Sequence, residues 1–357
     1  MLVKMLDQAQ YELLHFPHRS LGYHLGRPFR ALFSPGKDPY DRMSFGNGCL
    51  AKAMMDYYKK HVNSEEAKEI MNIVRRYYDK WYYSGRRLHY IDDLYAGVAL
   101  IDIQKITGSE RYKKGIDEMV KFANNFPTDP NGAFVYRPRK KEPYISAETI
   151  GAVCPFLAKY AATYDDMGVL SLAVNQVQNF LEFGMDEKTI LPYHGYNYET
   201  GMKMGIIGWG QAVGKIMMGM SEMLYYMTPD NPSYEVIRMA YRRIVDKVEI
   251  YQTEGGLYSW QLGAKDGPAD TAASAMILYS IAQSLDDKIL IGIHKSRMMR
   301  GVEALKVCVL EDGSLPGASK EAKGFNNYPI EFDTYPWALG PAMSLFNILE
   351  EEPKNIE

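Results

Sequence analysis

Leu88-His89-Tyr90-Ile91-Asp92-Asp93-Leu94-Tyr95-Ala96-Gly97 joins a helix-like stretch to a second, more apolar one, and the same kind of junction recurs down the chain. Its counterparts are Ile145-Ser146-Ala147-Glu148-Thr149-Ile150-Gly151, Gly208-Trp209-Gly210-Gln211-Ala212-Val213-Gly214 and Gly267-Pro268-Ala269-Asp270-Thr271-Ala272-Ala273. A weaker fifth copy is Tyr335-Pro336-Trp337-Ala338-Leu339-Gly340-Pro341. A recurrence every roughly 55–60 residues, each copy one helical hairpin, indicates a solenoid or a closed ring of helices. In a ring, all the junctions open on one end, where carboxylates, aromatics and a histidine then converge.

Helical periodicity supports this reading. Within 67–83, Ile70, Ile73, Val74, Tyr77 and Tyr78 make one apolar stripe. Ser64 stands before it as an N-cap, and Glu65 and Glu66 suit the positive end of the helix dipole. Segments 112–126, 169–183, 234–251 and 295–310 repeat the pattern and are rich in charge, as outer helices are. Alternating with them, 150–164, 212–227, 272–284 and 338–349 are more apolar and richer in small residues, which lets helix backbones approach closely. Six hairpins follow, at 1–62, 63–106, 107–166, 167–229, 230–285 and 286–349. The expected fold is all-α, an (α/α)6 barrel occupying 1–357 as one domain. An open superhelix is the alternative, but it needs polar capping helices and 338–349 stays apolar.

Composition narrows the function. The chain of 357 residues is 46% hydrophobic and 24% charged, enough for a large core. Its net charge of −3 offers no footprint for nucleic acid or an anionic membrane surface. No apolar run reaches the length of a membrane span. Met1-Leu2-Val3-Lys4-Met5-Leu6-Asp7-Gln8 lacks the form of a signal peptide. Cys49, Cys154 and Cys308 are odd in number and widely spaced, so a reducing, cytoplasmic location is expected. Neither cysteines nor histidines show zinc spacing, and no metal or other cofactor is expected. Gly205-Ile206-Ile207-Gly208-Trp209-Gly210 follows no strand and does not read as a phosphate loop. The 28 Tyr and 4 Trp are mostly core, although such rings also suit sugars.

The junction carboxylates Asp92, Asp93, Glu148 and Asp270 lie at or near inner-helix starts. N-capping explains Asp270, with Thr271 sharing the role, and one of Asp92 and Asp93. It explains Glu148 poorly, because Glu is a weak cap and Ser146 serves better. His194, in Leu191-Pro192-Tyr193-His194-Gly195-Tyr196-Asn197, sits in a loop leading toward an inner helix. Carboxylates gathered in an apolar mouth have their pKa values driven apart, leaving one protonated as an acid.

In this order the segments resemble the unsaturated glycosyluronic acid hydrolases, glycoside hydrolase families 88 and 105, and more closely the unsaturated rhamnogalacturonyl hydrolases. Ile91-Asp92 with Gly97 is similar to the family's Leu-Asp followed by Gly. Glu148 through Pro155-Phe156-Leu157 resembles the inner helix that begins with the catalytic aspartate. Tyr193-His194-Gly195-Tyr196 resembles the substrate loop, and Trp209-Gly210 with Gly214 resembles Trp-Gly-Arg-Gly-Asn-Gly-Trp. Asp270-Thr271-Ala272-Ala273-Ser274-Ala275-Met276 and Pro336-Trp337-Ala338-Leu339-Gly340-Pro341 complete the set, which spans about residues 85–350. The departures are Glu148 for Asp, Gln211 for Arg, Val213 for Asn and Lys215 for the second Trp.

The resemblance implies a hydrolase of oligosaccharides bearing a 4,5-unsaturated uronic acid at the non-reducing end. A carboxylic acid protonates C4 of the vinyl ether, water adds at C5, and the hemiketal collapses to release the sugar. It implies Glu148 as acid/base and Asp92 as the supporting carboxylate; burial in an aromatic pocket is expected to raise the Glu148 pKa and keep it protonated. His194, Tyr196, Trp209, Gln211, Lys215 and Asp270 are the implied substrate contacts, and no metal is needed. In place of the family's arginine, Lys215 or the basic run Arg137, Arg139, Lys140, Lys141 would face the uronate. Alternatives are a sugar epimerase or inverting hydrolase on the same barrel, or a barrel that binds sugar without turning it over. Oligomeric state is not legible.

Overall fold

A computed structural model describes residues 1–16, 43–138 and 142–350. Part of the first expected hairpin, and Arg139, Lys140 and Lys141, lie outside the described residues. Among those described there are twelve α-helices: α1 (Leu2–His15), α2 (Phe45–Lys60), α3 (Glu65–Tyr83), α4 (Gly97–Thr107), α5 (Glu110–Asn124), α6 (Glu148–Tyr164), α7 (Met167–Phe183), α8 (Gly210–Tyr226), α9 (Tyr234–Val248), α10 (Thr271–Asp286), α11 (Lys295–Cys308) and α12 (Pro336–Leu349). A 3₁₀ turn, Ile91–Ala96, leads directly into α4.

The even-numbered helices form the inner ring. Helix α2 packs on the 3₁₀ turn and α4, these on α6, then α6 on α8, α8 on α10, α10 on α12, and α12 back on α2. That last contact closes the ring and rules out the open superhelix. The fold is an (α/α)6 barrel.

Sequence explains which helices go where. In α3, Ile70, Val74, Tyr77 and Tyr78 are buried while Ile73 is half-buried, and the Ser64 hydroxyl accepts from the Ala67 amide at 3.0 Å as its N-cap. Helix α8, by contrast, is buried from Gly210 to Leu224 on every face. A helix this largely apolar, with only Gln211, Lys215, Ser221 and Glu222 as polar residues, belongs inside. Glycines set the spacing of α6 and α8: a Cβ on Gly151 would lie 2.5 Å from the Lys215 carbonyl oxygen, and one on Gly219 would lie 2.5 Å from that of Ile150. Gly151 thereby brings the backbone of Lys215 against the first turns of α6.

The inner helices run parallel, so their N-termini share one end. Gly46 of α2 faces Pro336 of α12, and Gly210 of α8 faces Ala273 of α10. This concentrates the positive ends of the helix dipoles at the mouth. A small antiparallel sheet decorates it: β1 (Tyr144–Ser146), β2 (Gly195–Asn197) and β3 (Lys203–Met204), with Ile145 opposite Tyr196. A second pair, β4 (Ala318–Ser319) and β5 (Phe332–Asp333), lies in the long connection from α11 to α12. The sequence reading has only loops at these places. The strands are two or three residues long, too short for alternation to register.

Candidate active site

Of the paired aspartates in the 3₁₀ turn, Asp93 is the cap. Its Oδ2 accepts from the amides of His89 and Tyr90 at 2.7 and 3.0 Å. Asp92 is left half-buried, with no hydrogen bond to another described residue. At the start of α6, the Ser146 hydroxyl accepts from the Glu148 amide at 3.3 Å, which leaves the Glu148 carboxylate unneeded for capping.

Strand pairing brings the histidine to that carboxylate. The Ala147 amide donates to the His194 carbonyl at 2.8 Å where β1 meets β2. His194 Nε2 then lies 3.1 Å from Glu148 Oε2. The expectation that these two share one mouth is met directly. On the far side of the ring, Nδ1 is 2.7 Å from the Tyr328 hydroxyl, which accepts from the Ile206 amide at 3.2 Å. With that amide donating, the tyrosine proton is available to Nδ1, so Nε2 carries the hydrogen donated to Glu148.

Glu148 Oε1 accepts from Lys215 Nζ. Lys215 is 5% and Glu148 15% exposed at the side chain, so the pair is largely shielded from water. The ammonium also sits 4.6 Å from the centre of the Phe45 ring. Burial alone would raise Glu148, but Lys215 and then His194 hold it far below the usual carboxylate range. Burial would likewise lower Lys215, but Glu148 outweighs that and raises it. The expectation that Glu148 stays protonated in an aromatic pocket is therefore overturned, because Lys215 is a cation where the resembled family has a tryptophan. The carboxyl pushed toward its protonated form is Asp92. Burial, reinforced by the Glu148 charge and opposed by Lys215, lifts it from 3.8 to about 7.

The other expected site residues divide. Trp209 packs on His194 with ring centres 4.6 Å apart, but it is 0% exposed, and Tyr196 is 2% exposed. Neither offers a sugar an open face in this structure; both support the histidine loop. Asp270 caps α10 through the Ala272 amide at 2.9 Å, as its position predicts, and also accepts from the Ser319 hydroxyl at 2.5 Å. The Gln211 amide donates to the Ser319 carbonyl at 2.7 Å. Asp270 and Gln211 are both fully buried, and what they hold is the segment around β4. Lys215, bound to Glu148, is committed before any uronate arrives.

Arg137, from the basic run already singled out in the sequence, is joined at the mouth by residues that reading passed over. Tyr136 and Arg137 follow the turn at Gly132, with the guanidinium 4.8 Å from the Tyr136 ring centre. Arg137 adopts φ +49, an uncommon conformation for a residue with a side chain. Burial and then the Glu148 charge raise the Tyr136 hydroxyl well above its usual range. From the α11–α12 connection come Glu321, Phe325 and Tyr328. Phe325 meets His194 at 4.9 Å and Tyr136 at 5.2 Å between ring centres. The length of that connection was the available signal, since long loops in compact domains tend to be functional. Among the described residues, no three His, Cys, Asp or Glu side chains gather as metal ligands would.

Comparison with known proteins gives this site its family. The model of Glycosyl Hydrolase Family 88 matches residues 33–351. The chain belongs to that family. It is similar to the unsaturated rhamnogalacturonyl hydrolase YesR of Bacillus subtilis (strain 168), with 21% identity over 291 residues, 78% of this chain and 82% of that protein. A possible member of the GH105 family from Salmonella enterica subsp. enterica serovar Paratyphi A superposes with a TM-score of 0.82 at 13% identity, covering 98% of this chain and 93% of the other. An unsaturated glucuronyl hydrolase specific for heparin superposes with a TM-score of 0.69 at 12% identity, covering 85% of each chain. The barrel is thus the family's, and the protein is a glycoside hydrolase. No helix among the described residues is long and apolar enough to cross a membrane.

The geometry predicts the outcome of restoring the family's aspartate. Glu148 reaches Lys215 and His194 with one oxygen each. Shortening it by a methylene breaks one of the two bonds. Glu148→Asp should therefore lower kcat about 10–100-fold, since misplacement of about 1 Å has that effect. A rise in kcat, measured on the same substrate, would mean that Glu148 is a decayed aspartate rather than the centre of a re-fitted pocket.

Proposed function

We infer that this family 88 enzyme hydrolyses oligosaccharides ending in a 4,5-unsaturated uronic acid, by hydration of the vinyl ether, with Asp92 as the proton donor. The observation that carries the assignment is a carboxyl lifted to about 7 beside one held ionised. Two carboxylates whose environments drive them apart are the recognisable form of an acid and its electrostatic partner. The names of the relatives, hydrolases of unsaturated rhamnogalacturonyl and glucuronyl units, supply the substrate class.

Asp92 donates its proton to C4 of the sugar, and positive charge develops on C5 and the ring oxygen. The Glu148 carboxylate stabilises that charge, and it costs no reorganisation because Lys215 and His194 already fix it. Water then adds to C5 and passes a proton to the Asp92 carboxylate, which regenerates the acid. The hemiketal so formed collapses and releases the next sugar. Arg137, at the mouth and close enough to influence both Asp92 and Glu321, is the cation for the uronate carboxylate. It takes the role for which Gln211 lacks charge and Lys215 lacks freedom. The converging helix N-termini add a field favouring an anion.

Unsaturated uronides absorb in the near ultraviolet, and hydration destroys the chromophore. Mixing the enzyme with lyase-generated disaccharides should abolish the absorbance. The kcat/KM profile should fall as pH rises through about 7, as Asp92 loses its proton in the free enzyme. Sugar binding with no loss of absorbance would identify a non-catalytic barrel, and epimerisation with the chromophore intact would identify the other alternative.

A further inference from the structure

The connection from α11 to α12 brings a third carboxylate, Glu321, to the mouth, and the reaction as described gives it no role. Two independent sets of contacts locate it. Before it, Ser319 is gripped by Asp270 through its hydroxyl, and by Gln211 and the Trp337 indole through its carbonyl, at 2.5, 2.7 and 3.1 Å. After it, Phe325 closes on His194 and Tyr136, and Tyr328 on His194. Residue 321 therefore bridges from the rim over α8 and α10 to the histidine cluster. Its side chain is open to water, yet the surrounding walls limit its hydration enough to raise its carboxyl, with Lys215 opposing and Glu148 adding. Held between the Ser319 anchor and the Phe325–His194 contact, residue 321 stands at the rim, near enough to Lys215, Glu148 and Arg137 for their charges to act on it.

We propose that Glu321 sets the charge the substrate may carry: it admits an oligosaccharide whose terminal uronate is the only nearby anion and turns away one with a sulfate or second carboxylate on the adjoining sugar. This rests on the uronide-hydrolase reading above. The charges at the mouth leave little choice. Lys215 is neutralised by Glu148, and Lys320, next in sequence to Glu321, is tied to Glu331 at 2.5 Å. Arg137 then answers the uronate carboxylate. A further anion meets Glu321 and Glu148, while the exposed Lys323 lies near enough to Glu331 for its charge to act there.

The test compares two lyase-generated disaccharides that differ only by a sulfate on the saturated sugar. One unit of like charge across a few ångströms of partly wet mouth should give wild type a preference on the order of tenfold in kcat/KM for the unsulfated compound at low salt. That preference should shrink as ionic strength shortens the Debye length to about 8–10 Å. Glu321→Gln should collapse the ratio toward one, and Glu321→Asp should keep most of it; a matched melting temperature confirms folding. An equal effect of Glu321→Gln on both substrates, or a wild type without preference, overturns the proposal. If neither disaccharide loses its absorbance, the hydrolase reading fails, and the ratio is read from calorimetric binding of the same pair. A charge-independent affinity, or no binding of either, then overturns this proposal too.

Discussion

Asp92→Asn should reduce turnover by about 10²–10⁴-fold, the range for loss of a general acid, while making the protein more stable above pH 7. Both effects have one cause. The native state holds the Asp92 proton up to about pH 7, whereas the unfolded chain releases it near the ordinary carboxylate value of about 4. Between those values the native state binds more protons than the unfolded state, so wild-type stability falls as pH rises. Above about pH 7 the fold carries the full cost of a half-buried charge, on the order of 1–4 kcal/mol, its upper end set by the distance between the native and unfolded pKa values. Asparagine has the shape and no charge. Melting temperatures of the two proteins should agree near pH 4, diverge through pH 5–7, and stay apart above it, with the inactive variant the more stable. A variant that is less stable than wild type at pH 8 would contradict the raised carboxyl and the assignment built on it.

Much of this was legible in the sequence because it depends on periodicity. The alternation of charged and apolar helices implied the ring, since a helix such as α8, buried on every side, cannot display a polar face. Single-residue chemistry at a junction was legible where a local rule governs, as with Asp270 capping α10 or Ser64 capping α3. What escaped was set by partners far away in the chain. Glu148 is ionised because Lys215 and His194, 67 and 46 residues later, meet its two oxygens; no local pattern around Glu148 announces them. Trp209 and Tyr196 looked like sugar platforms because aromatic residues serve both purposes. Only packing shows that they brace the histidine loop. Glu321, Phe325 and Tyr328 lie in a connection with no repeating pattern, and Ser319, donating to Asp270 and accepting from Gln211 and Trp337, brings it to the mouth.

The Glu148–Lys215 pair should behave as one unit, and a double-mutant cycle should show it. Glu148→Gln leaves a lysine that is only 5% exposed without its anion, a change that typically costs about 3–5 kcal/mol. It also removes the negative charge that helps hold the Asp92 proton and leaves Lys215 unopposed, so the basic limb of the pH profile should move from about 7 to lower pH. Lys215→Met is destabilising for the converse reason. It strips Glu148 of its main cation, and the Glu148 carboxyl should rise from its depressed range. Joining the two substitutions removes both charges together, and replacing a whole buried pair is often close to neutral. The double variant should be more stable than either single one, with a coupling energy of about 1–3 kcal/mol by chemical denaturation. Its turnover should remain low, because the anion that meets the developing positive charge is gone even though the fold is restored. Recovery of stability without recovery of kcat separates the two tasks of Glu148, holding Lys215 in the barrel and stabilising the transition state. Additive, sub-kilocalorie effects of the single substitutions would instead place the pair in water, leaving Lys215 free to meet the substrate.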